Sequence, residues 1–331
     1  MIFYILYFNN NKKIYLILKN VDYLIFIKNK IFTKMSFFLN NKYYYKQNIY
    51  DKQNKKNIFV DCVDLYKGQN IINWLNDTLG NKFSFIFDRN KPDYLIYNVF
   101  GSRNLDSKYN NCVKIAYFTE NIFPDLNKAD YALGFSHINY LDRYYRHQFF
   151  FNTSLFYIIR KKYILNNLKK KFCAAVISNN NSFFRNKFII ELDKYKKIDM
   201  GGKYKNNIGE NVKNKIDFLS SYKFSIAMEN SEGDGYTSEK IVQSFISGTI
   251  PIYFGNYMVD EYFNPKSFIL IKSEKDLYKK IELIKIIDND DKLYKSIINQ
   301  NIFVNNKNND IISREIYEYK FLFNYCIREI Q

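Results

Sequence analysis

The densest concentration of chemically able residues runs from Phe224 to Lys240. An apolar, β-prone run (Phe224-Ser225-Ile226-Ala227-Met228) feeds Glu229-Asn230, a glycine-rich turn at Gly233-Asp234-Gly235, and then Tyr236-Thr237-Ser238-Glu239-Lys240. Thr237 and Ser238 are both competent to cap a helix that starts there. The first turn of such a helix presents unpaired N–H groups and a positive dipole end, which suits a phosphate, and Lys240 adds a full positive charge. Glu239 is odd beside a phosphate unless it accepts hydrogen bonds from a ribose. An ordinary capped helix, with an early Glu matching the dipole and a solvated Lys, fits the same spacing. Spacing alone leaves these two readings even.

A second candidate is Glu120, which ends the strand-like run Val113–Phe118. In open α/β sheets the carboxyl ends of strands face the ligand crevice, so a carboxylate there can act as a general base. From position alone the plain reading, a strand-end carboxylate in a surface ion pair, is favoured. Asp288-Asn289-Asp290 mimics a D-x-D metal motif, but its Lys-rich surroundings between helices favour a solvated loop. Gly233-Asp234-Gly235 begins a G-x-G-x-x-G in which Ser238 stands at the third glycine. P-loop, G-x-S-x-G and H-E-x-x-H motifs do not occur.

The elements that must position these residues follow from the apolar pattern. Residues 1–57 are broken by Asn9-Asn10-Asn11, Asn40-Asn41 and Tyr43-Tyr44-Tyr45, and read as an extension carrying no recognisable chemistry. From Ile58 the pattern becomes regular: strands at Ile58–Val63, Phe83–Phe87, Tyr94–Phe100, Val113–Phe118 and Asp130–Phe135, with helical spacing at Ile71, Ile72 and Leu75. Residues 151–171 read as a linker. A second alternation then places strands at Phe172–Ile177, Lys223–Met228 and Ile250–Phe254. Its helices fall at Ser182–Tyr195, at Ser238–Ser247 and from Glu274 onward. Two parallel, helix-covered sheets facing a cleft are expected, one in residues 58–150 and one in residues 172–331.

Composition narrows the function classes. The 331 residues carry 50 Lys+Arg against 33 Asp+Glu, a net charge of +17. Only eight of the basic residues are Arg, no dense Lys/Arg block occurs, and Lys, Asn, Ile, Phe and Tyr are all abundant. That pattern fits scattered surface lysines better than a polyanion-binding face, so no nucleic-acid partner is expected. Two histidines, His137 and His147, exclude His-rich metal designs, and no metal site is expected. Cys62, Cys112, Cys173 and Cys326 form no C-x-x-C and read as buried thiols of a reducing compartment. With no long apolar run and no convincing signal peptide, the expected location is cytoplasmic, with membrane contact at most peripheral.

Taken in order along the chain, a set of short stretches resembles glycosyltransferase family 10, the α-1,3/1,4-fucosyltransferases, and its compact bacterial members most. They are Ile177-Ser178-Asn179-Asn180 with Arg185-Asn186, Gly201-Gly202, Asn211–Lys215, Glu229-Asn230, Tyr236–Lys240, Ile250–Tyr253 and Phe263–Ser267. Tyr117–Asn121 and Asp130–Phe135 match less tightly. The resemblance implies a GT-B architecture of two Rossmann-like domains. It implies inverting transfer of fucose from GDP-β-L-fucose, with α-1,3 linkage to an N-acetylglucosamine-containing glycan, no cofactor and no metal at the phosphates. It implies Glu120 as general base, Arg185 and Lys240 at the pyrophosphate, and Tyr236 and Glu239 at the ribose and fucose-phosphate. Asn179, Lys215 and Asn230 fall on other donor positions. For Arg185 the plain alternative is an exposed helix residue. Where many members carry Thr-Gly before the motif glutamate, Phe118-Thr119 stands here, and Ser238 replaces the usual Thr. The bacterial heptad repeats and basic tail are not evident; the chain ends in a helix-like segment, Ser313–Ile330. A transferase with another nucleotide-sugar donor, or a basic glycan- or polyanion-binding protein with a vestigial site, are the rival readings.

Overall fold

The computed structural model describes residues 6–8, 14–16, 55–65, 68–79, 83–138, 140, 142–146 and 171–304. It divides into a small unit of residues 1–56 with 81–83, and a large unit of residues 57–80 and 84–331. In the small unit β1 (Leu6–Phe8) pairs antiparallel with β2 (Ile14–Leu16). Residues 151–170, the terminal segment Ser313–Ile330 and most of 1–57 lie outside the described residues, as do His147 and Cys326.

The first sheet has six strands: β3 (Lys56–Val63), β4 (Phe83–Phe87), β5 (Tyr94–Tyr97), β6 (Val113–Tyr117), β7 (Tyr131–Gly134) and β8 (Tyr144–Arg146). They lie in the order β4-β3-β5-β6-β7-β8, with β3 and β5 to β8 all parallel. The second sheet has β9 (Lys171–Ala175), β10 (Ile198–Met200), β11 (Tyr222–Ile226), β12 (Ile250–Tyr253) and β13 (Ile269–Leu270). Its order is β10-β9-β11-β12-β13, again parallel throughout. All four residues of β5, β7 and β12 are buried, as expected of strands covered on both faces.

The second sheet carries the helices that the pattern promised. They are α2 (Phe183–Asp193), α3 (Lys215–Leu219), α4 (Glu239–Ile246), α5 (Leu277–Asn289) and α6 (Asp291–Ile298), numbered after α1 (Gly68–Leu79) of the first half. Phe188, Ile189 and Leu192 of α2 and Ile281, Ile284 and Ile287 of α5 pack on Cys173, Phe224, Ile250 and Ile252 of the strands. Ile241, Val242, Phe245 and Ile246 of α4 pack with Tyr253 on the other face. Alternate strand residues thus meet different helices, as a pleat of period two requires.

The first sheet departs from the expected helix cover. Among the described residues of that half α1 is the sole α-helix. The β5–β6 connection holds only two short 3-10 turns, Arg103–Leu105 and Ser107–Tyr109, and β6 reaches β7 through a loop. Loop side chains take the helix's place: Tyr109, Phe118 and Ala129 pack on Leu95, Tyr97 and Ala132. The Tyr109 hydroxyl donates to the buried Asp61 carboxylate at 2.5 Å, satisfying a charge on the strand.

Asp288-Asn289-Asp290 is not the solvated loop expected. Asp288 is buried at the end of α5, where it pairs with Lys196 and with Lys223 (3.2 Å) and accepts from the Tyr195 hydroxyl (3.0 Å). Asp290 caps α6, accepting from Lys292 N and Leu293 N. These carboxylates serve the packing of α5 and α6. Among the described residues no group of three His, Cys, Asp or Glu could hold a metal ion, and no helix is long and apolar enough to cross a membrane.

Candidate functional site

In the second sheet β9 lies between β10 and β11, so the chain leaves β9 toward one side and returns to build on the other. A crevice opens where the order reverses, beyond the carboxyl ends of β9 and β11. The segments entering it are 176–182 and 227–238, which hold Asn179 and Asn230. Arg185, two residues into α2, crosses between them. Its Nη1 donates to the Asn230 side-chain oxygen at 2.6 Å and its Nη2 to the Asn179 carbonyl. Arg185 is 1% exposed, and its Nε has no hydrogen-bond partner. Among the described residues no carboxylate forms an ion pair with it. Burial pulls the guanidinium below its usual pKa, with the Glu229 charge opposing, yet an arginine stays charged. A buried, charged fork with an unused donor has the chemistry to accept an anion. The expectation of an exposed helix residue fails because Arg185 sits on the same stripe of α2 as Phe188, Ile189 and Leu192.

Ser238 occupies the cap position of α4, but its hydroxyl does not cap. It donates instead to Glu229, whose carboxylate also accepts from Ser238 N (2.8 Å) and from the Lys240 ammonium (2.7 Å). Glu229 is fully buried. It was read from sequence only as part of a motif, without a role of its own. In the fold it joins the end of β11 to the start of α4 and holds Lys240. Burial alone would lower the Lys240 ammonium, but the Glu229 and Glu239 carboxylates outweigh it and keep the group above the usual lysine pKa. Lys240 is therefore a permanently charged group, already paired with a carboxylate. The first turn of α4 has no side-chain cap, and the buried Glu229 carboxylate, accepting from Ser238 N, already faces its positive dipole end.

Lys215 opens α3, which Asn214 caps by accepting from Ile216 N and Asp217 N. Burial pushes its ammonium down to about 8, with Glu239 pulling up and Lys240 pushing down. Glu239, half-buried at the first position of α4, is the carboxylate that Lys215 and Lys240 both feel. Asn179 is exposed, and its side chain accepts from Asn181 N at 2.8 Å.

Glu120 comes from the first sheet, in the loop that leaves β6. The bend before it needs no glycine, since neither Thr119 nor Glu120 has a positive φ. Asn98 Nδ2 donates to the Thr119 hydroxyl at 3.1 Å and holds the loop in place of a tighter turn. Burial raises the Glu120 carboxyl above the usual carboxylate pKa. The Lys240 charge and a hydrogen bond from Tyr236 oppose that shift, while Glu229 and Glu239 add to it. The base candidate is thus within electrostatic reach of the charges around α4. Tyr236 is buried, its ring edge-on to Phe135 at 4.8 Å, and burial beside Glu229 and Glu120 raises its pKa, so it remains a neutral donor. Asn121, the end of the matching stretch Tyr117–Asn121 and given no role there, donates from Nδ2 to Ser231 Oγ and to the Glu232 carbonyl, both at 3.0 Å.

The alpha-(1,3)-fucosyltransferase FucT N-terminal domain model matches residues 58–157, and the glycosyltransferase family 10 (fucosyltransferase) C-terminal model matches residues 166–321. The chain belongs to glycosyltransferase family 10. It is 32% identical over 244 residues to the alpha-(1,3)-fucosyltransferase FucT of Helicobacter pylori, a match covering 63% of this chain and 51% of that protein. It is 33% identical over 121 residues to the 4-galactosyl-N-acetylglucosaminide 3-alpha-L-fucosyltransferase 9 of Cricetulus griseus, covering 35% and 32%. A crystal structure of an alpha1,3-fucosyltransferase with GDP-fucose superposes with a TM-score of 0.66 at 24% identity, covering 82% of this chain and 92% of that one. The family 10 chain thus has the GT-B fold, and it spans about half the length of the Helicobacter relative.

Proposed function

We propose that this family 10 protein transfers L-fucose, with inversion, from GDP-β-L-fucose to a hydroxyl of an N-acetylglucosamine-containing glycan, forming an α-1,3 linkage. The observation that carries the donor half is Arg185: a buried guanidinium with an unused Nε, in the switch-point crevice beside the uncapped start of α4. A diphosphate leaving group gains negative charge as the glycosidic bond breaks, and preorganised cations lower that barrier. Arg185 offers directional donors, and Lys215 and Lys240 add point charges, so the pyrophosphate is held without a metal ion. Asn179 and Asn230 line the same crevice, and Glu239 accepts from the ribose hydroxyls. Residues 58–150 carry the acceptor side and residues 172–331 the donor side.

Glu120 takes the proton from the acceptor hydroxyl as that oxygen attacks the anomeric carbon. A carboxylate raised by burial is a stronger base than one in water, and Tyr236 keeps it oriented. The relatives support the donor and acceptor classes: the Helicobacter protein is an alpha-(1,3)-fucosyltransferase, and the Cricetulus protein acts on a 4-galactosyl-N-acetylglucosaminide.

Calorimetric titration with GDP, with UDP as control and EDTA present, tests the donor site. GDP should bind selectively and without metal, and GDP-fucose should then support transfer to an N-acetylglucosamine-containing acceptor. Equal affinity for UDP, or binding that needs a divalent ion, would overturn the donor assignment.

A further inference from the structure

The loop that carries Glu120 and the loop that opens α4 are locked together by a seam that neither sheet builds alone. Asn121 follows the base directly. Its neighbours' backbone closes a tight turn around it, with Ile122 N donating to the Glu120 carbonyl at 2.8 Å. The side chain at the apex of that turn reaches residues 231 and 232 through the two hydrogen bonds from Nδ2. Gly233 admits it. A Cβ at Gly233 would lie 2.3 Å from the Asn121 side-chain oxygen and 2.4 Å from its nitrogen. Gly233 has no positive φ, so the demand for glycine there comes from Asn121 and not from the backbone. Next along, a Cβ at Gly235 would meet the Phe135 carbonyl at 2.1 Å, and Tyr236 packs on the Phe135 ring.

We infer that Asn121 is a positioning residue for transfer: it ties the base-bearing turn to the donor-side loop, so that Glu120 is held in register with the sugar that loop presents. The inference rests on the reading of Glu120 as general base. Turn and loop come from residues 110 positions apart; Tyr236 of the same loop bonds Glu120 itself, and the Asn121 amide fixes the turn that carries it. Both hydrogen bonds are solvent-exposed, so they add little to overall stability. Reactivity is far more sensitive, because misplacing a reacting group by about 1 Å costs roughly 100-fold in rate.

The test is a double-mutant cycle on the full chain. N121A removes the donor, and G233A pushes the Asn121 amide out of its seat. Each should lower kcat for fucosyl transfer by roughly 30- to 100-fold, by the positional argument. Each should leave GDP affinity within about threefold and the melting temperature within about 4 °C of wild type. The N121A/G233A double variant should be no slower than N121A, because the clash and the bond share one partner. The acid limb of the kcat/KM profile should also move to lower pH in N121A, as a loosened Glu120 gains water and loses the burial that raises it. A kcat within about threefold of wild type in N121A, losses that add in the double variant, or a parallel loss of GDP affinity would each overturn the inference. E120Q run alongside separates the two failures. Wild-type turnover there removes the base and with it the role of Asn121, whereas an inactive E120Q beside an active N121A overturns the anchoring alone.

Discussion

In both sheets of the large unit the first strand sits between the second and the third: β3 between β4 and β5, β9 between β10 and β11. Past the carboxyl ends of β3 and β9 the charged groups find different partners. In the first half Asp64, just past β3, accepts from Arg103 N at 3.0 Å and from Arg103 Nε at 2.7 Å. Gly101 lies so close that a Cβ would sit 2.3 Å from the Asp64 carboxylate. There the carboxylate is satisfied by the chain's own arginine. In the second half the corresponding cation, Arg185, meets an amide and a carbonyl and keeps a donor unused. The two arginines therefore differ in one respect: a carboxylate reaches Arg103, while Arg185 meets only neutral groups. Helix cover follows the same division. The second half is rigidly layered around buried charges, while the first offers loops, one of which carries Glu120.

The largest effect expected from breaking this contrast is at the base. E120Q should lower transfer turnover by about 10²–10⁴-fold while GDP affinity stays near wild type, because the amide cannot take a proton. Near-normal turnover in stopped assays with GDP-fucose would remove Glu120 from that role.

On the donor side, E229Q should cost about 3 kcal/mol of stability, read as a drop of roughly 6–12 °C in melting temperature. It leaves Lys240 and Ser238 facing a neutral amide in a buried position. A shift under about 2 °C would show that Lys240 does not depend on that carboxylate. R185A should weaken GDP binding by about tenfold to 100-fold, the worth of one or two charge-assisted hydrogen bonds. Unchanged affinity would mean that the open crevice does not hold the diphosphate.

Lys215 gives a smaller, pH-dependent effect. Its ammonium, pushed down to about 8 by burial, is charged below that pH and neutral above it. An anion favours the charged form, so GDP affinity should be full near pH 7 and fall by about tenfold as pH rises through 8 to 9. K215R, which stays charged, should flatten that profile. The smallest effect is expected at the Asp64–Arg103 pair. Arg103 is largely exposed, so R103A should change stability by about 0–1 kcal/mol and leave GDP affinity and turnover unaltered. A large loss of transfer in R103A would show that the two arginines are not as different as their partners suggest.

Much of the fold was legible along the chain. Phe83–Phe87 is a strand over the span its apolar run marks, and the helix expected after the glycine-rich turn begins at Glu239. Strands of three residues or fewer, Tyr144–Arg146, Ile198–Met200 and Ile269–Leu270, escaped because so short a run shows no period. Among the described residues of the first half, loops stand where helices were expected, because apolar loop residues such as Tyr109 and Phe118 supply burial without a 3.6-residue rhythm. Within the site, Arg185 was marked only by the family resemblance; its burial shows in the fold, where it shares the stripe of Phe188, Ile189 and Leu192. Ser238 misled in a small way, since a cap residue by type gave its hydroxyl to Glu229.

Local causes account for the alternating strands and helices, a helix start after Gly235, and the supply of acids, bases and amides at strand ends. Which of those charges are satisfied depends on long-range packing. Glu229 finds Lys240 eleven positions away, but Arg185 finds Asn230 across 45, Asp64 finds Arg103 across 39, and Asn121 finds Ser231 across 110. Whether a buried charge is neutralised or left open for a ligand depends on which distant group reaches it, and that is set when the sheets pack, not by the order of residues around it.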